Sequence, residues 1–453
     1  MTSSDASTTQ QPGAHQLRRS NSRKILHAAW DQGPVTASEL IAATGLTRAT
    51  VLNQAKELVA AGWLREAADT RSAGEYSKGR PALRYELDDS SGLIAGLDAG
   101  QHRITLAVAD LAGAELLREE VYTDPVAGTE QRSAAVTELL QRTLDSLAAP
   151  RFAALVIAVP APVDSTGRSP EHPEGFWQRM NPNWITALEP YAQLLAVDND
   201  ANLAAVAEMC AGTGGSFAAL MVGERLGAGI VVDGALLRGS QGFAGEMRAL
   251  SYVSGVGNAL GLGYLAREEA RAALDNGRAS TLRREGLDAR QVFRAAAAGD
   301  SLAGEILESL GERLARIAAV TAGFLGLERI ILCGAMAEYL DPVLCIAHRE
   351  LAKDPELAAV QLEASRLGAD VALKGALANA LDLVRRGRRR IAIKMPIEVL
   401  RYEHDMTTVD AHSEFKINNS YAPFFARLLM DNEPELDGAF EIRTQTWQLA
   451  EVN

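Results

Sequence analysis

The chain has 453 residues, 47% of them hydrophobic and 23% charged, the composition of a globular protein with room for about three domains. No apolar run approaches the ~18 residues of a spanning helix, and the Ser/Thr/Gln-rich N-terminus lacks the apolar core of a signal peptide. A cytoplasmic protein that does not enter a membrane is expected. The three cysteines, Cys210, Cys333 and Cys345, are too far apart for a Cys-x-x-Cys metal site or a disulfide framework. A net charge of −13 excludes a protein that coats nucleic acid over its whole surface. The charge is uneven, however: residues 1–88 hold 11 Lys and Arg against 9 Asp and Glu, a net +2, and the rest of the chain carries −15. A small basic module on an acidic body fits a DNA-reading head on a larger sensor.

Residues 1–15 are polar and of low complexity and read as disordered. From Gln16 to about Asp31 a helical pattern places Ile25, Leu26 and Ala29 on one side, and Gly33-Pro34 breaks it. Thr36 precedes a short helix from Ala37 to Thr44, Gly45 makes a turn, and Thr47 is placed to cap a helix from Arg48 to Ala61. In that helix Val51, Ala55 and Leu58 repeat at core spacing. Helix, glycine turn, helix is the helix-turn-helix pattern. Thr47, Arg48, Ala49, Thr50 and Asn53 fall near the helix start or opposite the apolar stripe, where side chains reach base edges in a major groove. Trp63–Arg65 and Leu83–Leu87 read as two strands of a wing. Lys78, Gly79 and Arg80 in its loop suit a narrow minor groove. Residues 16–88 are therefore expected to be a winged helix-turn-helix DNA-binding domain. The plainer alternative is a packing module with a solvated basic loop.

From Ser91 the pattern becomes α/β. Strands are expected at Leu93–Leu97, Ile104–Ala109, Leu116–Tyr122 and Phe152–Val159, with a helix from Thr129 to Leu147. The apolar run Leu194–Val197 leads into Asp198-Asn199-Asp200 and then an Ala-rich helix. This presents Asn199 and Asp200 at the carboxyl end of a strand, where open α/β sheets bind ligands. Further strands are expected at Ala218–Val222, Gly229–Val232, Arg329–Leu332 and Val360–Glu363, with long helices near Ser301–Gly323 and Lys374–Val384. An early hairpin in each half points to a duplicated fold with a cleft between the halves.

The segments Val159-Pro160-Ala161-Pro162-Val163-Asp164, Asn199-Asp200-Ala201-Asn202, Arg238-Gly239-Ser240-Gln241-Gly242-Phe243-Ala244-Gly245-Glu246 and Gly326 to Gly334 resemble the ROK family (repressors, open reading frames and sugar kinases) in its repressor branch. The resemblance spans about Leu17 to Val384. It implies a winged helix-turn-helix followed, over residues 91–384, by a two-lobed actin-like, ribonuclease-H-like sugar-kinase fold. By the same resemblance Asn199, Asp200 and Glu246 contact sugar hydroxyls, and Asp200 is the catalytic base in a kinase.

The departures from the family pattern bear on activity. The first phosphate turn, Asp-x-Gly-Gly-Thr in kinase members, is here Asp98-Ala99-Gly100-Gln101-His102. The second, Gly-Thr-Gly-like in the family, is Gly223-Glu224-Arg225-Leu226-Gly227, where Glu224 sets a carboxylate beside a phosphate. Phosphoryl transfer is mostly positioning and charge stabilisation, so losing both turns is expected to abolish it. The family's Glu-x-Gly-His and Cys-x-Cys-Gly-x-x-Gly-Cys-x-Glu zinc segments become Glu246-Met247-Arg248-Ala249 and Ser254 to Tyr264, with none of the ligand types kept. Either Arg248 and local packing replace the metal, or the pocket binds something else.

Other roles compete at each site. Asn199 and Asp200 suit a helix N-cap, Glu246 an exposed loop, and Asp98 a strand-end turn. His102 and His172 read as structural or surface residues. Residues 385–453 form a C-terminal extension that begins with the basic cluster Arg385-Arg386-Gly387-Arg388-Arg389-Arg390 and carries no motif. The expectation is a regulator, a repressor of carbohydrate genes. Its partners are operator DNA and a sugar or sugar-derivative effector, it acts as a homodimer or homotetramer, and it has no cofactor, metal site or catalytic residue. An ATP-dependent sugar kinase with a DNA-binding head is the alternative. A third reading is a regulator with a vestigial cleft that answers to a partner protein.

Overall fold

The computed structural model describes residues 14–67, 83–172 and 174–386. Lys78, Gly79 and Arg80 of the expected wing loop lie outside the described residues, as do residues 387–453.

The head opens with α1 (Ala14–Gln32), β1 (Val35–Thr36), α2 (Ala37–Thr44) and α3 (Arg48–Ala60), followed by β2 (Leu64–Ala67) and β3 (Arg84–Leu87). Thr36 and Glu39 form a reciprocal capping box at the start of α2, and Gly45 takes the left-handed conformation, φ 67°, that ends it. Thr47 caps α3. Ile25, Ala29, Leu40, Val51, Ala55, Leu58 and Tyr85 are buried together. The strands pair antiparallel in the order β1-β3-β2, so the two expected wing strands are joined by a third, two-residue strand that the pattern did not predict.

The first α/β half comprises β4 (Ile94–Ala99), β5 (Arg103–Ala109), β6 (Glu115–Tyr122), α4 (Thr129–Ser146), β7 (Phe152–Val159), α5 (Phe176–Met180), α6 (Trp184–Ala187), β8 (Ala192–Asn199) and α7 (Asp200–Cys210). The second comprises β9 (Phe217–Met221), β10 (Gly227–Val232), β11 (Ala235–Leu237), α8 (Leu262–Asp275), α9 (Ala289–Ala297), α10 (Ser301–Leu325), β12 (Arg329–Cys333), α11 (Asp341–Leu351), β13 (Gln361–Ala364) and α12 (Val371–Arg386). The sheets run β6-β5-β4-β7-β8 and β11-β10-β9-β12-β13. In each, three antiparallel strands precede two parallel ones, so the halves share one topology, as expected of a duplicated fold.

Helix α12 returns to the first half and packs on α7, β4 and β7. The approach to α7 is at backbone distance, since a Cβ at Gly375 would lie 1.8 Å from the Leu203 carbonyl oxygen. At its start Asp370 accepts from Arg103 at 3.1 Å and from Arg118 at 2.5 Å. Towards its end Leu381, Leu383 and Val384 share a cluster with Trp30, Trp63 and Leu87 of the head, and the Arg385 guanidinium lies 5.2 Å from the Trp30 ring centroid.

Gly375→Ala should lower unfolding free energy by about 2–4 kcal/mol, because the added methyl meets main chain that cannot turn aside. Chemical denaturation followed by far-UV circular dichroism measures this. Native-like stability would show that α7 and α12 separate easily.

Candidate functional site

The end of β8 sorts three neighbouring polar residues into different tasks. Asp198 is buried. One of its oxygens accepts from the Asn199 amide and from Asn202 Nδ2, each at 2.9 Å, and the other pairs with Arg238. Asn199 is the N-cap of α7. Its Oδ1 accepts from the amides of Ala201 (2.9 Å) and Asn202 (3.3 Å), and its Nδ2 donates to the Ala161 carbonyl at 3.1 Å. The cap leaves Asn199 a single amide hydrogen to offer a ligand. Asp200, the first residue of α7, accepts from the Ala201 amide at 2.8 Å.

Asp200 faces two other carboxylates from different parts of the fold. Burial pushes its carboxyl up to about 7, with Asp98 and then Glu246 adding like charge. Asp98, on β4, is raised to about 6 by burial, which Arg103 opposes. Glu246 is raised by burial and opposed by Arg225. Asp98 and Asp200 come from the first half, Glu246 and Arg225 from the second, so the group is drawn from both halves. The Arg225 guanidinium also lies 4.6 Å from the ring centroid of Phe176 in the first half. A Cβ at Gly242 would lie 2.0 Å from the Val163 carbonyl oxygen, so the 238–246 loop docks directly on the first half. Trp177 meets Phe243 edge-on at 5.8 Å and His172 at 4.6 Å. A half-buried wall of carboxylates beside aromatic rings can order hydroxyls and stack on the apolar face of a polyol.

Both degraded phosphate turns are stiffened by arginine. Arg132 of α4 is fully buried and donates to the carbonyls of Ala99 (2.8 Å), Gly100 (2.9 Å) and Gln101 (3.5 Å). Glu224 does not stand as a bare charge in the second turn. Arg267 donates to both of its oxygens, at 2.8 and 3.2 Å, and this pairing, with His102 across the cleft, keeps Glu224 below the usual carboxylate range. The like-charge argument against phosphate therefore falls. What remains is the loss of the glycines and threonine themselves.

The 254–264 segment is unsuited to zinc. Its polar side chains are Ser254, Asn258 and Tyr264, and among the described residues no group of three or more His, Cys, Asp or Glu is arranged to hold a metal ion. Arg248 is exposed and makes no hydrogen bond among the described residues, so it does not substitute for a metal. The loop is gripped instead by Arg313 of α10, a residue that local spacing could not reveal.

In the head, Arg48 and Ala49 are exposed at the start of α3, and Arg48 forms no ion pair among the described residues. Thr47 and Thr50 hydrogen-bond each other at 2.9 Å. Asn53 donates to Glu57 at 3.1 Å, and Glu57 is held by Arg18 of α1. Arg48 is thus the free donor of the set, while Thr47, Thr50 and Asn53 are oriented by local bonds.

The raised carboxyls fix the sign of a pH effect. Each binds its proton more tightly folded than unfolded, so its contribution to stability is full below its ordinary value near 4. That contribution is lost as pH rises through about 6 for Asp98 and about 7 for Asp200. Asp200→Asn should therefore gain on the order of 1–2 kcal/mol over wild type at pH 8 and nothing at pH 4. Thermal melts across that range measure it, and a pH-independent difference would remove the carboxylate coupling.

Comparison with known proteins now places the fold. The ROK family matches residues 94–382, and a winged helix-turn-helix DNA-binding family matches residues 18–65. The chain is 26% identical to a xylose repressor of Caldicellulosiruptor bescii over 239 residues, 51% of this chain and 58% of that protein; the match thus spans less than two thirds of that relative. It is 25% identical to the DNA-binding transcriptional dual regulator NagC of Escherichia coli over 341 residues, 71% of this chain and 82% of that one. A ROK family transcriptional regulator, a homologue of the E. coli MLC protein, superposes with a TM-score of 0.64 at 20% identity, covering 82% of this chain and 97% of its own. Sugar kinases also share the fold, a glucokinase structure among them. The chain belongs to the ROK family and carries a winged helix-turn-helix ahead of its ROK domain.

Proposed function

We propose that this chain is a DNA-binding transcriptional regulator, a repressor of carbohydrate genes. Its interlobe cleft binds a sugar or sugar derivative without phosphorylating it. The observation that carries this reading is the continuous packing from cleft to head. Asp200 opens α7, α7 rests on α12 at backbone distance, and the end of α12 shares a cluster with Trp30 and Trp63. An effector that favours one placement of α7 thereby favours one placement of the head. In a homodimer or homotetramer this changes the relation of two heads on a two-fold operator. Asp200, Glu246 and the remaining amide hydrogen of Asn199 are the sugar contacts in this reading. Arg48, with Thr47, Ala49, Thr50 and Asn53, reads bases, and Lys78, Gly79 and Arg80 reach the minor groove. The protein works in the cytoplasm; among the described residues no helix is long and apolar enough to cross a membrane. Kinase activity is disfavoured by the loss of the phosphate turns' glycines and threonine, with Gln101 and His102 standing in the first turn.

A panel of hexoses, pentoses, amino sugars and their phosphates, tested on purified protein with DNA from around its own gene, examines the sensor role. One member should raise the melting temperature and change operator affinity by roughly 5–150-fold, and Asp200→Ala should remove both effects. No response to any member defeats the sensor, and ATP-dependent phosphorylation of a sugar restores the kinase.

Arg48→Ala and Arg80→Ala should each weaken operator binding by about tenfold, read by fluorescence anisotropy. Unchanged affinity in both would defeat the winged-helix role.

A further inference from the structure

We infer that Arg313 is a positioning residue of the cleft. It holds the 253–261 loop by its carbonyl oxygens and, through that loop, sets the β9–β10 turn bearing Glu224 and Arg225. No metal is needed for this. Arg313 is only 8% exposed. Its Nη1 donates to the Val256 carbonyl. Its Nη2 reaches the Asn258 carbonyl at 2.7 Å, Asn258 Oδ1 at 2.8 Å and, more weakly, the Leu260 carbonyl at 3.5 Å. One planar cation thus collects four oxygens from five consecutive residues, in a stretch where the chain forms neither helix nor ladder. Buried carbonyls left without donors cost about 1–3 kcal/mol each, and charge-assisted bonds from a guanidinium fork answer several at once. Glu269 on α8 supplies opposing charge.

The grip passes to the turn through short, directional bonds. The Leu226 amide donates to the Ala259 carbonyl at 2.9 Å, Gly261 to Glu224 at 2.9 Å, Gly263 to Val222 at 3.1 Å and Tyr264 to Gly223 at 3.1 Å. Arg225 and Leu260 form an isolated antiparallel bridge. There is no slack, since a Cβ at Gly261 would lie 2.2 Å from the Gly223 carbonyl oxygen. The turn then presents Arg225 to Phe176 and Glu246. Here the segment carries no zinc donor set, and a side chain of α10 gathers its carbonyls instead.

Hydrogen–deuterium exchange of the full-length protein tests this without knowledge of the effector. Arg313→Met keeps the length and apolar stem but removes the fork. It should accelerate exchange about tenfold in 222–227 and 253–263 while leaving β4 and α7 unchanged. Arg313→Lys, with one nitrogen, should recover part of the protection. Dialysis of wild type against EDTA should change nothing, and elemental analysis should find less than a stoichiometric amount of zinc. Wild-type-like exchange of 222–227 in Arg313→Met, EDTA-sensitive protection of 253–263, or one zinc per chain would each overturn the inference. If Arg313→Met does not fold, Arg313→Gln decides, since it removes the fork and leaves the loop's own bond from the Leu260 amide to Asn258 Oδ1 in place. Faster exchange confined to the same two segments supports the grip, and unchanged exchange overturns it.

Discussion

The contact on which the rest of the molecule depends is that between α12 and α7. Most helix pairs meet through interdigitated side chains, which can change rotamer and absorb small shifts. Here Gly375 brings main chain to main chain, so a displacement of α7 cannot be taken up by rotamers. The helix so held carries the cleft's carboxylate at one end, and the helix that holds it ends against the tryptophans of the head. Asp370, paired with Arg103 and Arg118, fixes the near end of α12 to β5 and β6. The far end of α12 meets the head.

A second constraint is the use of buried guanidiniums as tie points for irregular backbone. Arg132 gathers the carbonyls of the first turn and Arg313 those of the 253–261 loop. Each leaves its Nε without a partner among the described residues. Desolvation lowers both from the usual arginine range, yet an arginine stays charged, and its fork answers more oxygens than any neutral donor. In both segments the carbonyls are engaged in holding the local shape of the chain.

Much of this architecture was legible because local rules and the fold agree. Val51, Ala55 and Leu58 mark one helical face and are all buried. The run ending at Val197 meets capping residues, and the strand stops there. Helix α9 carries a signal in its own sequence, the Asp288–Gln291 capping box. Helix α8 begins at Gly261 without a side-chain cap and gave no such signal. The arginines were opaque for a different reason. Arg313 sits in a helix where an arginine is ordinarily a surface residue, and its acceptors lie about 55 positions earlier. The partner of Glu224 is opaque in the same way, because Arg267 is 43 residues away. Charge pairing across such separations is a property of the folded chain, not of any window in it.

The junction between Trp30 and Arg385 bears on modularity. Proteins assembled from a reader and a sensor are often treated as exchangeable cassettes joined by a passive linker. Here the reader's hydrophobic surface is completed by Leu381, Leu383 and Val384, which lie near the opposite end of the described sequence. A hybrid that swaps only the first 88 residues would set a foreign surface against those side chains. Recombination that preserves this packing must carry the first helix and the end of α12 together.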